Sequence, residues 1–544
     1  MEITVYKNRI ILLSIFLVSM FMFLWWRIKV HTIDEAYKLS VWADSQYTDK
    51  VEVSDLNYLL FDQNGKQLLQ YKNKYYAVID TASFLKNNMD TKTDDLYALI
   101  YILRNYNNTY DLSNIGLNGT TKKITYEIDE ITYNKLQNIK GVKGFYIYSA
   151  SNVDRSEAWK IENLISNIRN PSNNNLKNND SLEMQIYDKT KNNEYPIIRF
   201  DKDIDGNVST GQFINPRNNL NVRLTLDKNI QDKIKEILNS NKYRAHAQIG
   251  VVLVESNSGK ILSMTQKDDS LPNVNIGSAT QNGFEPGSIF KVIVEETGID
   301  KKSISLNQKY SSQQSVYKMD KKDYGTLNVE EAFIVSSNNI FAQIGDKVGV
   351  KNFIEKAQSQ GLFNKVLNLD SEVKGDYVMP QAPGEGAGQL AIGQSMRITP
   401  IQAVSIANTV VNNGIYVKPY IIEAFVNNDN EVKEIVKTEQ HTAINKTTAN
   451  ILKNQMIKVV RQGTGIAANI SNIEVGGKTG TSTRIDGKNK TSDGWFVGFF
   501  KVKNKYYSMV VFVKDIDTEN EQASNTAVPI FKDVVQSLYV YLQK

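Results

Sequence analysis

No cysteine occurs among the 544 residues, which removes disulfides, thiolate nucleophiles and cysteine-ligated zinc from consideration. Histidine is almost as scarce. The three copies are scattered: His31 beside an apolar run, His246 before an expected strand and His441 in a polar stretch. No HExxH pattern forms and no histidine adjoins a serine motif, so serine chemistry here calls for a base other than imidazole. Ten prolines among 31 glycines leave no fibrous signature. Charge is also muted. A net +5 is a mild excess that gives no reason to expect a nucleic-acid partner.

What is present is globular. Hydrophobic residues make up 41% and charged residues 23%, and a chain this long exceeds a single core, so two or more domains are expected. One run, Ile10 to Trp26, is apolar except for Ser14 and Ser19. Its length, about 26 Å as a helix, approaches the roughly 30 Å hydrocarbon core, and Trp25, Trp26, Arg27 and Lys29 suit an interfacial anchor. The bulky Trp25-Trp26-Arg27 stands where a signal peptidase requires small residues, which favours a retained anchor. The organisation expected is a cytoplasmic tail at 1–9, a transmembrane helix at 10–26, a non-catalytic stem at 30–220 and a catalytic domain at 221–544.

In the stem, Thr93 to Tyr106 and Ser156 to Ile168 read as helices, Ile124 to Ile128 and Gly144 to Tyr148 as strands, and Pro171 to Asp180 as an exposed loop. After Asn221 the pattern sharpens. Asp227 is placed to cap a helix over 229–239, and Ile249 to Glu255 and Lys260 to Met264 form a hairpin around Ser256-Asn257-Ser258-Gly259. Residues from 287 to about 461 are mostly helical in pattern. Strands resume at Gly476 to Ser482, Trp495 to Lys501 and Tyr506 to Val513, before a helix from Val528 to Leu542. The economical α+β arrangement is an antiparallel sheet covered by the first and last helices, with an all-helical insertion between its second and third strands.

Three short elements carry the chemistry. In Glu285-Pro286-Gly287-Ser288-Ile289-Phe290-Lys291 a turn opens an apolar helix, so that Ser288 and Lys291, three apart, share a face. Desolvation of that helix lowers a lysine pKa towards that of a general base, and the helix N-terminus with the Ser288 N–H favours an oxyanion. Serine and lysine at the same spacing also occur at Ser83 and Lys86, Ser315 and Lys318, and Ser371 and Lys374, so the pair alone decides little. The second element is Ser336-Ser337-Asn338, either a plain helix–helix turn or a hydroxyl and amide that relay a proton and hold a carbonyl; Ser172-Asn173-Asn174 repeats the pattern in a loop. The third is Lys478-Thr479-Gly480-Thr481 on an expected edge strand. There a second cation disfavours protonation of Lys291, Lys478 or Thr479 can take a substrate carboxylate, and the Thr481 N–H can complete an oxyanion hole.

Together the three elements resemble the penicillin-binding transpeptidases and the related serine β-lactamases in order, spacing and setting. Leu224-Thr225-Leu226-Asp227, Ser258-Gly259-Lys260, Ala391-Ile392-Gly393-Gln394-Ser395, Gly463-Thr464-Gly465 and Gly494-Trp495-Phe496-Val497-Gly498 extend the likeness over about residues 220 to 535. Leu59 to Lys66 looks like the opening of a class B non-catalytic domain without its usual Arg-Gly pair, and 30–220 holds no glycosyltransferase signature. The chain is thus identified as resembling a class B penicillin-binding protein. That resemblance implies that Ser288 attacks a D-alanyl-D-alanine stem peptide with Lys291 as base. It implies that Ser336 and Asn338 relay protons and hold substrate, and that Lys478, Thr479, Gly480 and Thr481 bind carboxylate and oxyanion. It also implies peptidoglycan as substrate, β-lactams as covalent inhibitors, no cofactor or metal, an extracellular catalytic domain, and a membrane glycosyltransferase as partner, which no residue of Ile10 to Trp26 identifies. Hydrolysis on the same scaffold, as a D,D-carboxypeptidase or β-lactamase, and a non-turnover β-lactam sensor are the rival readings; only about nine residues precede the anchor, too few for a signalling domain.

Overall fold

The structure is a computed structural model that describes residues 2–114, 123–313, 320, 322–379, 386–486 and 489–543. Its N-terminal helix, Glu2–Lys29, carries its apolar side chains exposed from Ile10 to Ile28, and the helical stretch Tyr6–Asp34 is long and apolar enough to cross a membrane. This fits a single-pass anchor.

Two compact units follow a division that is not linear in sequence. The first comprises Met1–Asn57, Tyr71–Val153 and Glu194–Arg217; the second comprises Tyr58–Gln70, Asp154–Asn193 and Asn218–Lys544. Segments 58–70 and 154–193, expected in the stem, therefore belong to the second unit. The reason is backbone pairing: Leu60 and Phe61 lie parallel to Val222 and Arg223, and the Trp159 N–H donates to the Asp269 carbonyl. In the first unit Tyr71–Asp80 is the central strand between Lys123–Ile128 and Phe145–Val153. Helix Thr93–Tyr106 buries Leu99 and Leu103 with Ala77, Ile79, Tyr126 and Ile128, as its helical spacing of apolar residues requires. The helix expected over 156–168 is confined to Ile161–Ile165. Its Asn163 side chain donates to the Asp154 and Glu157 carbonyls, holding the preceding residues in turns.

The second unit is built on a five-stranded antiparallel sheet of β1 (Ile249–Glu255), β2 (Ile261–Gln266), β3 (Val475–Asp486), β4 (Asn489–Val502) and β5 (Lys505–Ile516), in the order β2-β1-β5-β4-β3. The run Met509 to Val513 in β5 is buried throughout, because both faces of this central strand are covered. On one face lie α1 (Lys228–Leu238), capped by Asp227, and α7 (Ala527–Leu542); Ile230, Ile234 and Leu238 meet Phe531, Val535 and Leu538 in one core. Between β2 and β3 run α2 (Lys291–Asp300), α3 (Val329–Val335), α4 (Asn338–Val348), α5 (Pro400–Val411) and α6 (Lys446–Gln462). Every residue of α5 is buried, and it starts at a capping box between Thr399 and Gln402. The insertion is not helical throughout: Ile422–Val426, rich in β-branched and aromatic side chains, pairs with Asn221–Leu224, whose backbone groups take it as a partner.

Candidate active site

Ser288 lies in a 3-10 turn, Gly287–Phe290, that runs directly into α2. The turn is wedged between the edge strand β3 and the Gly393 loop. Gly287 adopts φ +57° and its N–H donates to the Gly393 carbonyl at 3.1 Å, and a Cβ there would meet the Thr481 carbonyl at 2.7 Å. From the other side, a Cβ on Gly480 would meet the Pro286 carbonyl at 2.6 Å. Glycine at 287 and 480 thus allows the Ser288 turn to touch the strand that bears Lys478.

Lys291, at the first turn of α2, is fully buried. Its Nζ donates to the Ser336 carbonyl at 2.7 Å, to Asn338 Oδ1 at 2.7 Å and to Ser336 Oγ at 3.3 Å, with the Phe341 ring 5.4 Å away. Ser336 ends α3 in a left-handed conformation, φ +61°, and Ser337 caps α4, so the helix–helix turn and the candidate site residues coincide. Lys478 enters from β3. It too is fully buried, and its Nζ donates to Ser336 Oγ at 2.8 Å and to the Thr479 carbonyl at 3.1 Å. One hydroxyl, Ser336 Oγ, therefore stands between two lysine nitrogens.

Burial first, and then the neighbouring Lys478, hold the Lys291 ammonium far below the ordinary lysine range, while Asp320 acts in the opposite direction. Burial pushes Lys478 down to about 7. Two amines that share a hydroxyl out of water resist carrying two charges, so the arrangement favours a free amine at neutral pH.

The structure thus brings Lys291, Ser336, Asn338 and Lys478 into one hydrogen-bonded cluster. Ser288 is half-buried one turn before Lys291, and among the described residues its hydroxyl makes no hydrogen bond. Thr479 Oγ1 lies 2.6 Å from Thr464 Oγ1, and the exposed Thr481 accepts from the Ala523 N–H at 3.1 Å. Ser83 belongs to the first unit, in helix Thr81–Asn87, Ser172 to an exposed loop, and Ser315 and Lys318 lie outside the described residues. Thr464 is marked in the sequence only as the middle of Gly463-Thr464-Gly465, and nothing local marks Asp320.

The family model for the penicillin binding protein transpeptidase domain matches residues 249–536, which span the sheet and all three elements. The chain belongs to the penicillin-binding transpeptidase family. Membership makes it an enzyme of the acyl-transferring class. It is 24% identical to stage V sporulation protein D of Bacillus subtilis over 491 residues, covering 84% of this chain and 73% of that protein. It is 26% identical over 320 residues to penicillin-binding protein PbpB of Mycolicibacterium smegmatis, covering 53% of this chain and 49% of the other, so it spans only about half of that relative. Among solved structures, a peptidoglycan synthetase from Bifidobacterium adolescentis superposes with a TM-score of 0.64 at 18% identity, over 91% of this chain and 97% of the other. Penicillin binding protein 3 of Mycobacterium tuberculosis, complexed with ampicillin, gives 0.59 at 17% identity over 91% and 96%. Those two likenesses concern the fold.

Proposed function

We propose that this chain is a peptidoglycan D,D-transpeptidase that works through an acyl-enzyme on Ser288. The observation that carries the reading is the pair of buried lysines joined through Ser336 Oγ immediately behind the Ser288 turn. Lys291, as a free amine, takes the Ser288 proton as Oγ attacks the carbonyl of the penultimate D-alanine of a stem peptide. The Ser288 and Thr481 N–H groups receive the oxyanion, and Asn338 and the Lys478-Thr479 pair hold the peptide amide and terminal carboxylate. When the C–N bond breaks, the leaving D-alanine amine takes a proton, for which Ser336 Oγ between the two lysines is the conduit. An acceptor amine then attacks the ester, gives up its proton to the Lys291 side and restores Ser288, leaving two stem peptides cross-linked.

β-Lactams, whose strained amide mimics the D-alanyl bond, acylate Ser288 in the same way. The N-terminal helix holds the catalytic unit at the membrane on its extracellular side, beside a membrane glycosyltransferase that supplies glycan strands. Labelling of the whole chain with fluorescent penicillin tests the assignment: the wild type is expected to label and Ser288→Ala not to. An unlabelled wild type, or a labelled Ser288→Ala, rejects it. Product analysis with and without an acceptor amine separates transfer from hydrolysis.

A further inference from the structure

Ser336 and Asn338 hold both lysines, yet the turn that carries them is of a kind that does not hold itself. Ser336 is non-glycine in the left-handed region, and such a conformation persists only where its surroundings over-determine it. Asn338, the last residue of the turn, and Asn339 open α4 with backbone N–H groups that have no carbonyl within the helix to bond. Asp320 supplies the missing partners from a segment sixteen residues before Ser336. Its Oδ1 accepts from the Asn338 N–H at 2.7 Å, and its Oδ2 accepts from the Ser337 hydroxyl at 2.6 Å and the Asn339 N–H at 3.2 Å. The grip is returned: the Asp320 N–H donates to Asn339 Oδ1 at 3.3 Å, and Asn339 Nδ2 donates to the Ser312 carbonyl at 3.0 Å.

We propose that Asp320 is a positioning residue of the acyl-transfer reaction, whose carboxylate clamps the Ser336–Asn338 turn and is, among the described residues, the negative charge presented to Lys291. The clamp acts through Asn338: the backbone of that residue is held by Asp320 while its side chain takes Lys291 Nζ. A carboxylate at the start of α4 is also favoured by the helix dipole, which explains its position but not its consequence for Lys291. The charged groups acting on Lys291 are Lys478 from β3, which disfavours its protonation, and Asp320, which favours it. On its own helix Glu295 and Glu296 are buried, and burial pushes both carboxyls up, Glu295 to about 8. Tyr324, beside Asp320, is pushed up by burial and by that carboxylate. Asp320 is thus the group that opposes Lys478 in setting how readily Lys291 gives up its proton.

This inference rests on the Ser288 acylation reading, and its test separates the two. The rate of labelling by fluorescent penicillin is measured against pH for the full chain and for Asp320→Asn, with Ser288→Ala as blank. Without the carboxylate Lys291 loses its proton at lower pH, so the acid limb of the profile is expected to move down by about one pH unit. The maximal rate is expected to fall about tenfold or more as the turn loosens. Ser337→Ala keeps the charge and removes one bond of the clamp; it is expected to slow labelling with the acid limb unmoved. Asp320→Glu, with the charge on a longer arm, is expected to keep the acid limb and lose rate, and it carries the test of the clamp if Asp320→Asn does not fold. A wild type that labels, with an Asp320→Asn profile unshifted on the pH axis, overturns the inference alone, as does Asp320→Glu at full rate. A wild type that takes no label overturns the acylation reading and this inference with it.

Discussion

Lys177 and Lys291 are both shut away from water in the second unit, but their partners differ in charge. The Lys177 Nζ meets the Glu183 carboxylate at 2.7 Å and the Leu164 carbonyl at 2.7 Å, and both side chains of the ion pair are essentially unexposed. The Lys291 Nζ meets only neutral acceptors, and the nearest formal charge on the edge strand is a second lysine. Burial lowers the pKa of each. At Lys177 the carboxylate opposes that fall; at Lys291 Lys478 adds to it. The first pocket keeps an ammonium as a structural tie, and the second presents an amine able to accept a proton.

The contrast breaks most visibly at the base itself. Lys291→Met is expected to reduce the acylation rate by about 10²- to 10⁴-fold, the range of a lost general base, while leaving no carboxylate orphaned; labelling rates and a melting curve read both halves. The same substitution at Lys177 is expected to do the reverse. It strands Glu183 in the interior and costs about 3–5 kcal/mol, seen as a lower urea midpoint, with the labelling rate of the folded fraction unchanged.

Smaller effects sharpen the electrostatics. On the proposed mechanism, wild-type acylation is expected to fall as pH drops, because a protonated Lys291 could not take the Ser288 proton. Lys478 lowers the Lys291 pKa, so Lys478→Met is expected to raise it and move the acid limb upward by about one pH unit, opposite in sign to Asp320→Asn. A downward movement would refute the like-charge account. Smallest is Thr464→Val, which removes the hydroxyl facing Thr479. It is expected to weaken recognition of the terminal carboxylate by about 1 kcal/mol, read as a severalfold change in kcat/KM for a D-alanyl-D-alanine peptide against its amide, with no movement of the acid limb.

Much of this was legible along the chain. Thr93–Tyr106 matches its expected helix, and the strands and last helix of the catalytic sheet lie close to their expected bounds except for β4, which begins at Asn489 rather than Trp495, because hydrophobic period is a local signal and its polar start carries none. Other features depend on partners far away in sequence. Pro171 to Asp180 reads as exposed and mostly is, yet its Lys177 is buried because Glu183 and the Leu164 carbonyl await it. Asp320 sits in a polar run with no pattern of its own, and its meaning comes from three donors in the turn beyond α3. Leu60 and Phe61 leave the expected stem because their backbones pair with Val222 and Arg223.

The lack of cysteine and the scarcity of histidine pointed to a serine with a lysine base, and the company of Ser336-Ser337-Asn338 and Lys478 to Thr481 picked Ser288 and Lys291 out from other pairs of the same spacing, since side-chain chemistry and helical period are properties of short segments. Which lysines face carboxylates and which face one another was decided only by the fold. Charge and burial act through space: the charges acting on Lys291, Asp320 and Lys478, and its hydrogen-bond partners, Ser336 and Asn338, come from separate stretches of chain.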